Sequence, residues 1–348
     1  MSASKPLDLE RLTLIAGGHT AFQLLWAGVE LGLFDHLSAH PGRDRQALAE
    51  TLGIGDQPAR ILLTGLTALG LITKEGGGYR NAELTEQMLV KGKPGYAAPI
   101  LGWQAHIVYP GLKHFLASLK AGTNLGLAEF PGEGETLYQR LTQHPELEKV
   151  FQDAMSALSR QANAHLLEAY DFGRFTHLVD AGGGDGTNAI ALARRFPKLK
   201  ITVFDSPSVC RIAEANIRRA GLSDRVFTHA GDFLRDPFPS GIDAVIYCHI
   251  LTIWSRERNL ALLRKTHESL PPGGAALIFN MMADDDETGP LSTALGSPYF
   301  LAIATGEGML YPWKDYEDLL RQAGFATVER RDGLPLNHGL IVATKESP

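Results

Sequence analysis

The chain contains little cysteine and no long apolar run, and both absences limit the classes of protein to which it can belong. Only Cys210 and Cys248 are present among 348 residues, which excludes a disulfide framework and suits a reducing compartment. No apolar stretch approaches the roughly 18 residues that a membrane helix needs. The opening MSASKPLDLE lacks the charged and then apolar pattern of a secretory signal. We therefore expect a cytoplasmic protein that has no membrane partner.

An excess of basic charge is also absent. Lysine and arginine number 33 against 39 aspartates and glutamates, so the formal net charge is −6 and no basic field attracts nucleic acid. The chain is instead rich in apolar residues and glycine, since 44% of it is hydrophobic and 37 residues are glycine. This composition favours a turn-rich α/β protein with a sizeable core, in a chain longer than one typical domain.

The clearest pattern is a glycine cluster that follows an apolar run, HLVDAGGGDGT from His177 to Thr187. Such a sequence is typical of a buried strand that turns tightly into a helix, where backbone N–H groups can approach a ligand. A second strand, Lys200–Phe204, ends at Asp205, where an acid can accept hydrogen bonds from ribose hydroxyls. The unit predicts a nucleotide-like cofactor. GDGTNA, 184–189, also fits the dinucleotide fingerprint, so the glycines alone leave two cofactor classes open.

The end of the chain helps to distinguish these classes. Two strand-like runs, Ala326–Arg331 and Gly339–Thr344, are joined by a turn-rich segment without a helix. This connection predicts an antiparallel hairpin at the end of the sheet, which a repeat of β-α-β dehydrogenase units would not give. His338 lies in this hairpin, and we expect it to be solvated. Further strands are predicted at 225–230, 243–248 and 275–281, and helices at 187–196, 256–270 and 314–324.

The first half of the chain has a helical pattern. Apolar residues recur through Leu12–Leu37, and Gly17 and Gly18 are predicted to loosen or kink the helix there. The segments that follow outline a winged helix: helix 44–52, helix 57–70 and hairpin 71–80. The second of these helices carries Arg60 as its only cation, whereas a helix that reads DNA is polar and basic. We therefore predict a buried helix, no nucleic-acid partner and no regulator of transcription.

Five motifs in the second half occur in a characteristic order. They are DAGGGDG (180–186), FDSPSV (204–209), AGDFLRDPFP (230–239), ILTIW (250–254) and LPPGG (270–274). From about Tyr170 onward the chain resembles the class I S-adenosylmethionine-dependent methyltransferases. Within that class it is most similar to the dimeric small-molecule O-methyltransferases, which include plant caffeate and bacterial antibiotic enzymes.

The resemblance implies a fold and a division of the chain. The expected fold is α/β, with a Rossmann-like seven-stranded methyltransferase sheet and an antiparallel C-terminal hairpin, preceded by a mostly helical winged-helix domain. That first domain, 1–95, would form a homodimer. A helical linker and acceptor-pocket region would follow at 96–170, and an S-adenosylmethionine-binding catalytic domain at 171–348.

The resemblance also implies cofactor contacts. Gly182 and Gly184 would contact the methionine portion through their backbone, Asp205 the ribose, and Asp232 with Phe233 the adenine, by a carboxylate and a stacking ring. Three further residues are predicted to line the same site: Asp180, Ser206 and Cys248. For the acids at 205 and 232, a cap or turn function is the alternative, because aspartate often occupies such positions.

The acceptor side departs from the family pattern. Where the family has Leu-His-Asp-Trp, with the histidine as general base, this chain has Leu-Thr-Ile-Trp and thus Thr252. Two acids that steady that histidine are replaced as well, by Asn280 and Leu310. Three interpretations remain open: an activated aromatic carbon as acceptor, as in C-methylating branches of the family; a hydroxyl that is already ionised; or another base. His249, at the end of the same strand, is the first candidate for that base. Thr252, at the position of the missing histidine, is the second residue predicted to be catalytic.

Aromatic and small residues are predicted to form the acceptor pocket, with ordinary core packing as the alternative. The candidates are Trp103, His106, Phe130, Met155, Asn280, Tyr299, Phe300 and Met309. The acidic run Asp284–Glu287 is typical of a solvated surface, so we expect no metal site.

The sequence thus predicts a homodimeric methyltransferase that uses S-adenosylmethionine and acts on a small aromatic metabolite in a specialised pathway, such as antibiotic biosynthesis. Methylation of a ring carbon is favoured. O-methylation of a phenol with another base is the first alternative. A non-methylating enzyme that uses the cofactor structurally, for hydroxylation or decarboxylation, is the second.

Overall fold

The computed structural model describes residues 7–347. The chain divides into two compact units, Met1–Ala105 and His106–Pro348. This division falls inside the segment 96–170 that the sequence assigns to a linker and acceptor-pocket region.

The first unit is a helical domain that contains a two-stranded wing. Its elements are α1 (Leu9–Ala16), α2 (Gly18–Glu30), α3 (Leu33–Ala39), α4 (Arg45–Leu52), α5 (Asp56–Ala68), β1 (Ile72–Glu75), β2 (Gly78–Asn81), α6 (Glu83–Met88) and α7 (Ala98–Trp103). The β1 and β2 strands pair antiparallel. Helices α4 and α5 with this hairpin form the expected winged helix, and α5 buries Ala59, Leu62, Leu63 and Leu66. The prediction of a buried second helix is confirmed.

Helices α1 and α2 meet at Gly17, where the chain bends by 67°, as the paired glycines predict. No residue of α1 is buried. Several of its apolar side chains are exposed, with Leu9 at 79% and Ile15 at 63%. Over the residues described, no single helix is long and apolar enough to cross a membrane, although the bent pair α1 and α2 passes a test of length and composition.

The second unit begins with helices and continues into a sheet. The helices before the sheet are α8 (Tyr109–Gly111), α9 (Phe115–Ala121), α10 (Leu137–Leu141) and α11 (Pro145–Ala169). The sheet strands are β3 (His177–Ala181), β4 (Lys200–Asp205), β5 (Val226–Ala230), β6 (Ala244–Cys248), β7 (Ala275–Met281), β8 (Thr327–Arg331) and β9 (His338–Thr344). The helices among them are α12 (Thr187–Arg195), α13 (Pro207–Arg219), α14 (Arg256–Ser269), α15 (Leu291–Tyr299) and α16 (Trp313–Gln322).

The seven strands lie in the order β5-β4-β3-β6-β7-β9-β8. The first five strands in this order are parallel and form four pairs, whereas β9 pairs antiparallel with both β7 and β8. The predicted terminal hairpin is confirmed. Apolar side chains fill both faces of the central strands, with α11, α12 and α13 packed in one core and α14 and α16 in the other. Burial on both faces explains why these strands are continuous apolar runs.

Candidate functional site

The glycine turn after β3 lies at the carboxyl edge of the sheet. Gly182 has a φ of 71°, and a Cβ atom there would lie 2.3 Å from Cδ1 of Ile250, so no larger residue fits. Gly184 has a φ of 59°, and its nearest neighbour, Oε1 of Gln152 on α11, lies 3.8 Å from where its Cβ would be. The turn is therefore held close to the sheet at Gly182 and has open space beside Gly184.

Asp205 ends β4 and forms hydrogen bonds both to this turn and to the residue before the next helix. Its carboxylate accepts hydrogen bonds from the backbone N–H of Gly184, at 3.0 Å, and of Ser206, at 2.7 Å. Burial raises the pKa of Asp205, and these two hydrogen bonds oppose the shift. A carboxylate has about four acceptor positions, so Asp205 retains capacity for further donors.

Asp180 has no comparable partners. It is fully buried in β3, and neither carboxylate oxygen has a hydrogen-bond partner within 7–347. Burial raises its pKa to about 7, and the negative charges of Asp205 and Asp185 add to the shift. Burial also raises the pKa of the Cys248 thiol, with a further contribution from the charge of Asp180. A buried carboxylate without partners is costly unless a donor or a cation compensates it, so this edge of the sheet suits a cationic ligand.

Asp232 and Phe233 follow β5 in an open loop. One oxygen of Asp232 accepts a hydrogen bond from the N–H of Leu234 at 2.9 Å, and its N–H donates to Asp236 at 2.8 Å. The ring of Phe233 packs edge-on against Phe204, with the ring centroids 6.3 Å apart. The acid thus has the turn-stabilising contact considered as its alternative role. Its other oxygen, Oδ2, lies 3.5 Å from Nε of the exposed Arg235.

The turn after β6 carries the residues predicted to be catalytic. His249 has a φ of 60°, which is uncommon outside glycine and fixes the direction of its side chain. Thr252 is buried at 1% exposure, and its hydroxyl donates to the carbonyl of His249 at 3.0 Å. The hydroxyl proton of Thr252 is thus engaged with the backbone, and the assignment of Thr252 as a catalytic residue stays a prediction.

Neighbouring side chains donate hydrogen bonds to the backbone carbonyls of the same turn. The amide of Asn259 donates to the carbonyl of Leu251 at 2.7 Å. The hydroxyl of Tyr311 donates to the carbonyl of Trp254 at 2.7 Å, and that of Thr305 donates to the carbonyl of Ile253. The turn is therefore rigidly supported from two later segments of the chain.

His338 is buried at 6% exposure, so the expectation that it is solvated is wrong. Its Nε2 lies 2.9 Å from Nε2 of His249, and its ring stacks on Phe279 with the centroids 5.0 Å apart. The pairing of β9 with β7 places Met281 opposite His338 and so brings the hairpin beside the end of β6. Sequence spacing gives no sign of a contact across 89 residues.

Asn280, which occupies the position of one of the missing acids, is fully buried. Its Nδ2 lies 3.2 Å from the hydroxyl of Tyr316, and its Oδ1 has no hydrogen-bond partner in the part of the chain described. Leu310 is also buried. Neither residue supplies a carboxylate near Thr252.

Four aromatic residues form a connected group in the second unit. Tyr138 packs edge-on against Phe151, with centroids 5.7 Å apart. Burial raises the pKa of Tyr138, and the neighbouring hydroxyl of Tyr299 opposes that shift. The rings of Tyr299 and Phe300 are 5.2 Å apart. Tyr138 was not predicted, because nothing in the sequence of α10 indicates that its side chain reaches α15.

The other predicted pocket residues differ in their surroundings. Phe130 is buried, whereas Met309 is 41% exposed. Met155 is partly buried on α11, four residues after Phe151, and His106 is exposed. Trp103 belongs to the first unit. The structure brings Tyr299 and Phe300 together, and the assignment of the remainder to an acceptor pocket stays a prediction.

The acidic run after β7 is engaged at the surface. Asp285 accepts the N–H of Lys314 at 2.7 Å and pairs with Arg330 at 2.7 Å. Asp286 accepts the hydroxyl of Thr288 at 2.7 Å. No group of three potential ligands for a metal ion occurs among the residues that the structure describes.

The parallel sheet, the glycine turn after β3, the acid that ends β4 and the antiparallel last strands define a methyltransferase-type α/β fold. Two family models match the chain, an O-methyltransferase domain at residues 118–326 and an O-methyltransferase dimerisation domain at residues 13–91. The chain therefore belongs to this O-methyltransferase family and is an S-adenosylmethionine-dependent methyltransferase.

Individual relatives cover nearly the whole chain. An L-tyrosine C(3)-methyltransferase from Streptomyces lavendulae is 40% identical, over 98% of this chain and 94% of its own length. A 3-hydroxy-5-methyl-1-naphthoate 3-O-methyltransferase from Streptomyces sahachiroi is 35% identical, over 96% and 94%. The crystal structure of the S-adenosylmethionine-dependent methyltransferase SibL in its apo form is 40% identical, with a TM-score of 0.84 over 97% of this chain and all of that one.

Asp180 should make a contribution to the free energy of unfolding of the cofactor-free protein that falls as the pH rises from about 4 to about 7. The buried His249 and His338, whose pKa values are lowered to about 3 and about 4, make an opposite contribution, because they stay neutral in the folded protein while the unfolded chain binds protons on them. Over this range the folded protein keeps a proton on Asp180 that the unfolded chain has released. The difference between the ordinary value of 3.8 and about 7 corresponds to at most about 4 kcal/mol. Asp180→Asn cannot ionise, so its free energy of unfolding should rise over this pH range, relative to that of the wild type, by up to that amount in urea titrations at several pH values.

Asp224→Asn is the matched control, because Asp224 is an exposed acid in the turn before β5. It should keep the wild-type slope. An Asp180→Asn protein whose stability depends on pH as that of the wild type does would show that the pKa of Asp180 is not raised in the folded state.

Proposed function

We propose that the protein transfers the methyl group of S-adenosylmethionine to a ring carbon of a small aromatic metabolite, next to a hydroxyl or amino substituent. The observation that carries this proposal is Thr252, a buried residue whose hydroxyl donates to a backbone carbonyl, at the position where the family resemblance predicts a catalytic histidine. The 40% identity to an L-tyrosine C(3)-methyltransferase supports the same reaction, since C3 of the tyrosine ring is adjacent to the phenol carbon.

A carbon acceptor needs less help from a base than a neutral hydroxyl does. Loss of a general base typically costs a factor of ~10²–10⁴ when the nucleophile itself must lose a proton. A ring carbon beside a phenol oxygen carries no proton that must leave before the attack. Much of the remaining barrier can then be lowered by holding the carbon in line with the methyl group.

When bound, S-adenosylmethionine supplies an electrophilic methyl group on a positively charged sulfur. The ring carbon forms the new carbon–carbon bond as the sulfur–carbon bond breaks, and S-adenosylhomocysteine leaves as a neutral thioether. The ring hydrogen on that carbon is then lost as a proton, which restores the aromatic ring. One proton is released for each methyl group transferred.

We assign the proton acceptor for the substrate hydroxyl to Nδ1 of His249. Burial lowers the pKa of His249 to about 3, with a further contribution from the charge of His338, so this imidazole is neutral at pH 7 and is a weak base. The substrate hydroxyl becomes strongly acidic as the ring carbon bonds to the methyl group. A weak base in contact with the hydroxyl is then sufficient to accept its proton.

The residues at the carboxyl edge of β3 and β4 suit this cofactor. The uncompensated carboxylate of Asp180 matches a ligand that carries a sulfonium and an ammonium group. Gly182 and Gly184 allow a close approach of the methionine portion, and Asp205 has acceptor capacity for the ribose hydroxyls. We assign the adenine contacts to Asp232 and Phe233, whereas Ser206 and Cys248 complete the lining of the site.

Asp205→Ala should weaken the binding of S-adenosylmethionine by about 10- to 100-fold, since hydrogen bonds to a charged group contribute roughly 1.5–3 kcal/mol. Isothermal titration calorimetry measures this loss directly. Asp224→Ala removes an acid at an exposed turn and should bind like the wild type. Unchanged affinity in a folded Asp205→Ala protein would show that Asp205 does not bind the ribose.

Incubation with S-adenosylmethionine and a panel of phenols, aminophenols and aromatic amino acids should yield a ring-methylated product. The readouts are release of S-adenosylhomocysteine, product mass and proton NMR. We expect a new aryl methyl signal and the loss of one ring proton.

A methoxy signal would instead establish O-methylation, the activity in the name of the relative from Streptomyces sahachiroi, and would overturn the proposed carbon acceptor. Cofactor binding without release of S-adenosylhomocysteine for any member of the panel would count against methyl transfer to this substrate class.

We further propose that the first unit forms a homodimer through α1. This helix buries none of its residues within the described chain, although Leu9, Leu12, Leu14 and Ile15 are between 49% and 79% exposed. A contiguous apolar surface of this kind is typical of a protein interface. The match of residues 13–91, which include the second half of α1, to a dimerisation domain supports a second copy of the chain as the occupant of this surface.

The wild type should sediment at twice the chain mass of 37.8 kDa at micromolar concentration. Ile15→Glu places a charge on the apolar surface and should shift the protein toward the monomer. Thr13→Glu adds the same charge to the same helix at a polar position and should shift it less. A wild type that remains monomeric at this concentration would exclude the proposed interface.

A further inference from the structure

One lysine connects the loop after β5 to helix α14. Lys265 of α14 donates from Nζ to the backbone carbonyls of Phe233 and Asp236, and the second of these hydrogen bonds is 2.7 Å long. Its Nζ also lies 4.7 Å from the centre of the Phe238 ring, at the distance of a cation–π contact. Residues 231–243 form no helix or strand, and neither carbonyl accepts a backbone N–H within the described chain. Both carbonyls therefore depend on Lys265 for a hydrogen bond.

The first of these carbonyls belongs to a peptide group that also contacts Asp232. The carbonyl of Phe233 and the N–H of Leu234 form this peptide group. Its carbonyl accepts from Lys265, and its N–H donates to Oδ1 of Asp232 at 2.9 Å. Two consecutive hydrogen bonds thus connect the ammonium group of the lysine to the carboxylate of Asp232. Hydrogen bonds in such a chain polarise and strengthen one another.

Asp236 forms a second connection between the same two residues. Its carbonyl accepts from Lys265, and its carboxylate accepts the backbone N–H of Asp232 at 2.8 Å. The N–H of Gly231 donates to the carbonyl of Asp205 at 3.0 Å, so the start of the loop is fixed to the end of β4. The backbone and the carboxylate of Asp232 are therefore held by one network, which ends at Lys265.

Two cations beside Asp232 differ in how firmly they are held. Lys265 is partly buried, and burial lowers its pKa while the charges of Asp232 and Asp236 oppose that shift. Nε of Arg235 lies 3.5 Å from Oδ2 of Asp232, but the arginine side chain is 87% exposed. An exposed ion pair of this kind contributes little to stability. A ligand can therefore replace the arginine at Oδ2, whereas the lysine remains bound to the loop.

We propose that Lys265 is a positioning residue for adenine: through the peptide group after Phe233, it holds the carboxylate of Asp232 in place for the amino group of the base. This inference rests on the proposed contact of Asp232 with adenine. A carboxylate that is already held loses less conformational freedom when the ligand binds. It also discriminates between bases, because a carboxylate accepts a hydrogen bond from an amino group and cannot donate one to a carbonyl oxygen.

The test compares S-adenosylhomocysteine with S-inosylhomocysteine, in which a carbonyl oxygen replaces the amino group of the base. Isothermal titration calorimetry with each ligand gives a ratio of dissociation constants, and this ratio measures the contact with the amino group without any acceptor substrate. We expect the wild type to prefer S-adenosylhomocysteine by at least about tenfold, since a hydrogen bond to a charged group is lost with the other ligand.

Three variants of α14 separate the role of Lys265 from the charge of the helix. Lys265→Met keeps the apolar stem of the side chain and loses every donor. It should lower the preference at least about threefold, because members of one hydrogen-bond network are energetically coupled. Lys265→Arg keeps a cation with donors and should retain more of the preference than Lys265→Met does. Arg264→Met is the matched control, since Arg264 is an exposed neighbour on the same helix, and it should keep the wild-type preference.

Equal weakening of both ligands in Lys265→Met would show that the lysine only stabilises the loop, and it would overturn the proposal. Unchanged binding of both ligands would overturn it too. In an Asp232→Ala background, Lys265→Met should leave the ratio unchanged, because the lysine acts through this carboxylate. A further fall of the ratio in that background would contradict the proposed connection.

A folded variant is needed for each comparison. If Lys265→Met does not fold, Lys265→Gln replaces it, since glutamine keeps a neutral donor on a shorter side chain. Its hydrogen bonds to the loop are weaker than those of a charged donor, so it should also lower the preference for S-adenosylhomocysteine. A Lys265→Gln protein with the wild-type ratio would overturn the proposal.

These outcomes are distinct from failure of the proposed function. A panel of aromatic acceptors without any methylated product would count against that function, and the calorimetry of the two ligands would still test Lys265. A wild type that binds both ligands equally well would show that Asp232 does not bind the amino group of adenine, and the role of Lys265 would fail with that contact.

Discussion

The hydrogen bonding of β3 with its two parallel neighbours is the constraint from which the rest of the site follows. Asp180 pairs with Val203 of β4 and with Ile246 of β6, and the ladder continues one residue beyond the strand, where the N–H of Gly182 donates to the carbonyl of Phe204 at 2.8 Å. Parallel strands in register end at the same edge of a sheet. The glycine turn, Asp205 and the turn that begins at His249 therefore share that edge.

The buried polar groups of the second unit that lack partners are concentrated near this edge. The carboxylate of Asp180, Oδ1 of Asn280 and Nδ1 of His338 have no hydrogen-bond partners in the described chain. Each of these unpaired groups lowers the free energy of unfolding. Burial of the apolar faces of the sheet compensates for this loss. Buried polar groups without hydrogen-bond partners are expected where a protein binds a ligand or carries out chemistry. Here they lie beside the proposed sites of cofactor and acceptor.

Much of the fold could be predicted because its signals are local. The central strands are apolar runs bounded by glycine or proline, and the helices around them have apolar periodicity, so β3, β6 and β7 are found close to their predicted limits. The bend at Gly17 and the buried face of α5 follow from residue type in the same way. Helix α13 is not among the elements predicted from the sequence, and contacts such as that between Tyr138 and Tyr299 depend on side-chain directions that pattern alone does not give.

The class of protein is recognisable from the sequence because five motifs in a fixed order carry the family resemblance. The order of the main elements and the absence of a histidine at position 252 depend only on residue type and spacing, so they too are visible in the sequence. The contact between the two histidines at this edge of the sheet depends on the tertiary structure. His249 and His338 are 89 residues apart and meet because β9 returns antiparallel beside β7. Burial of His338, its stacking on Phe279 and the proton it shares are properties of that pairing, since they arise from packing between segments that have no local signal for one another.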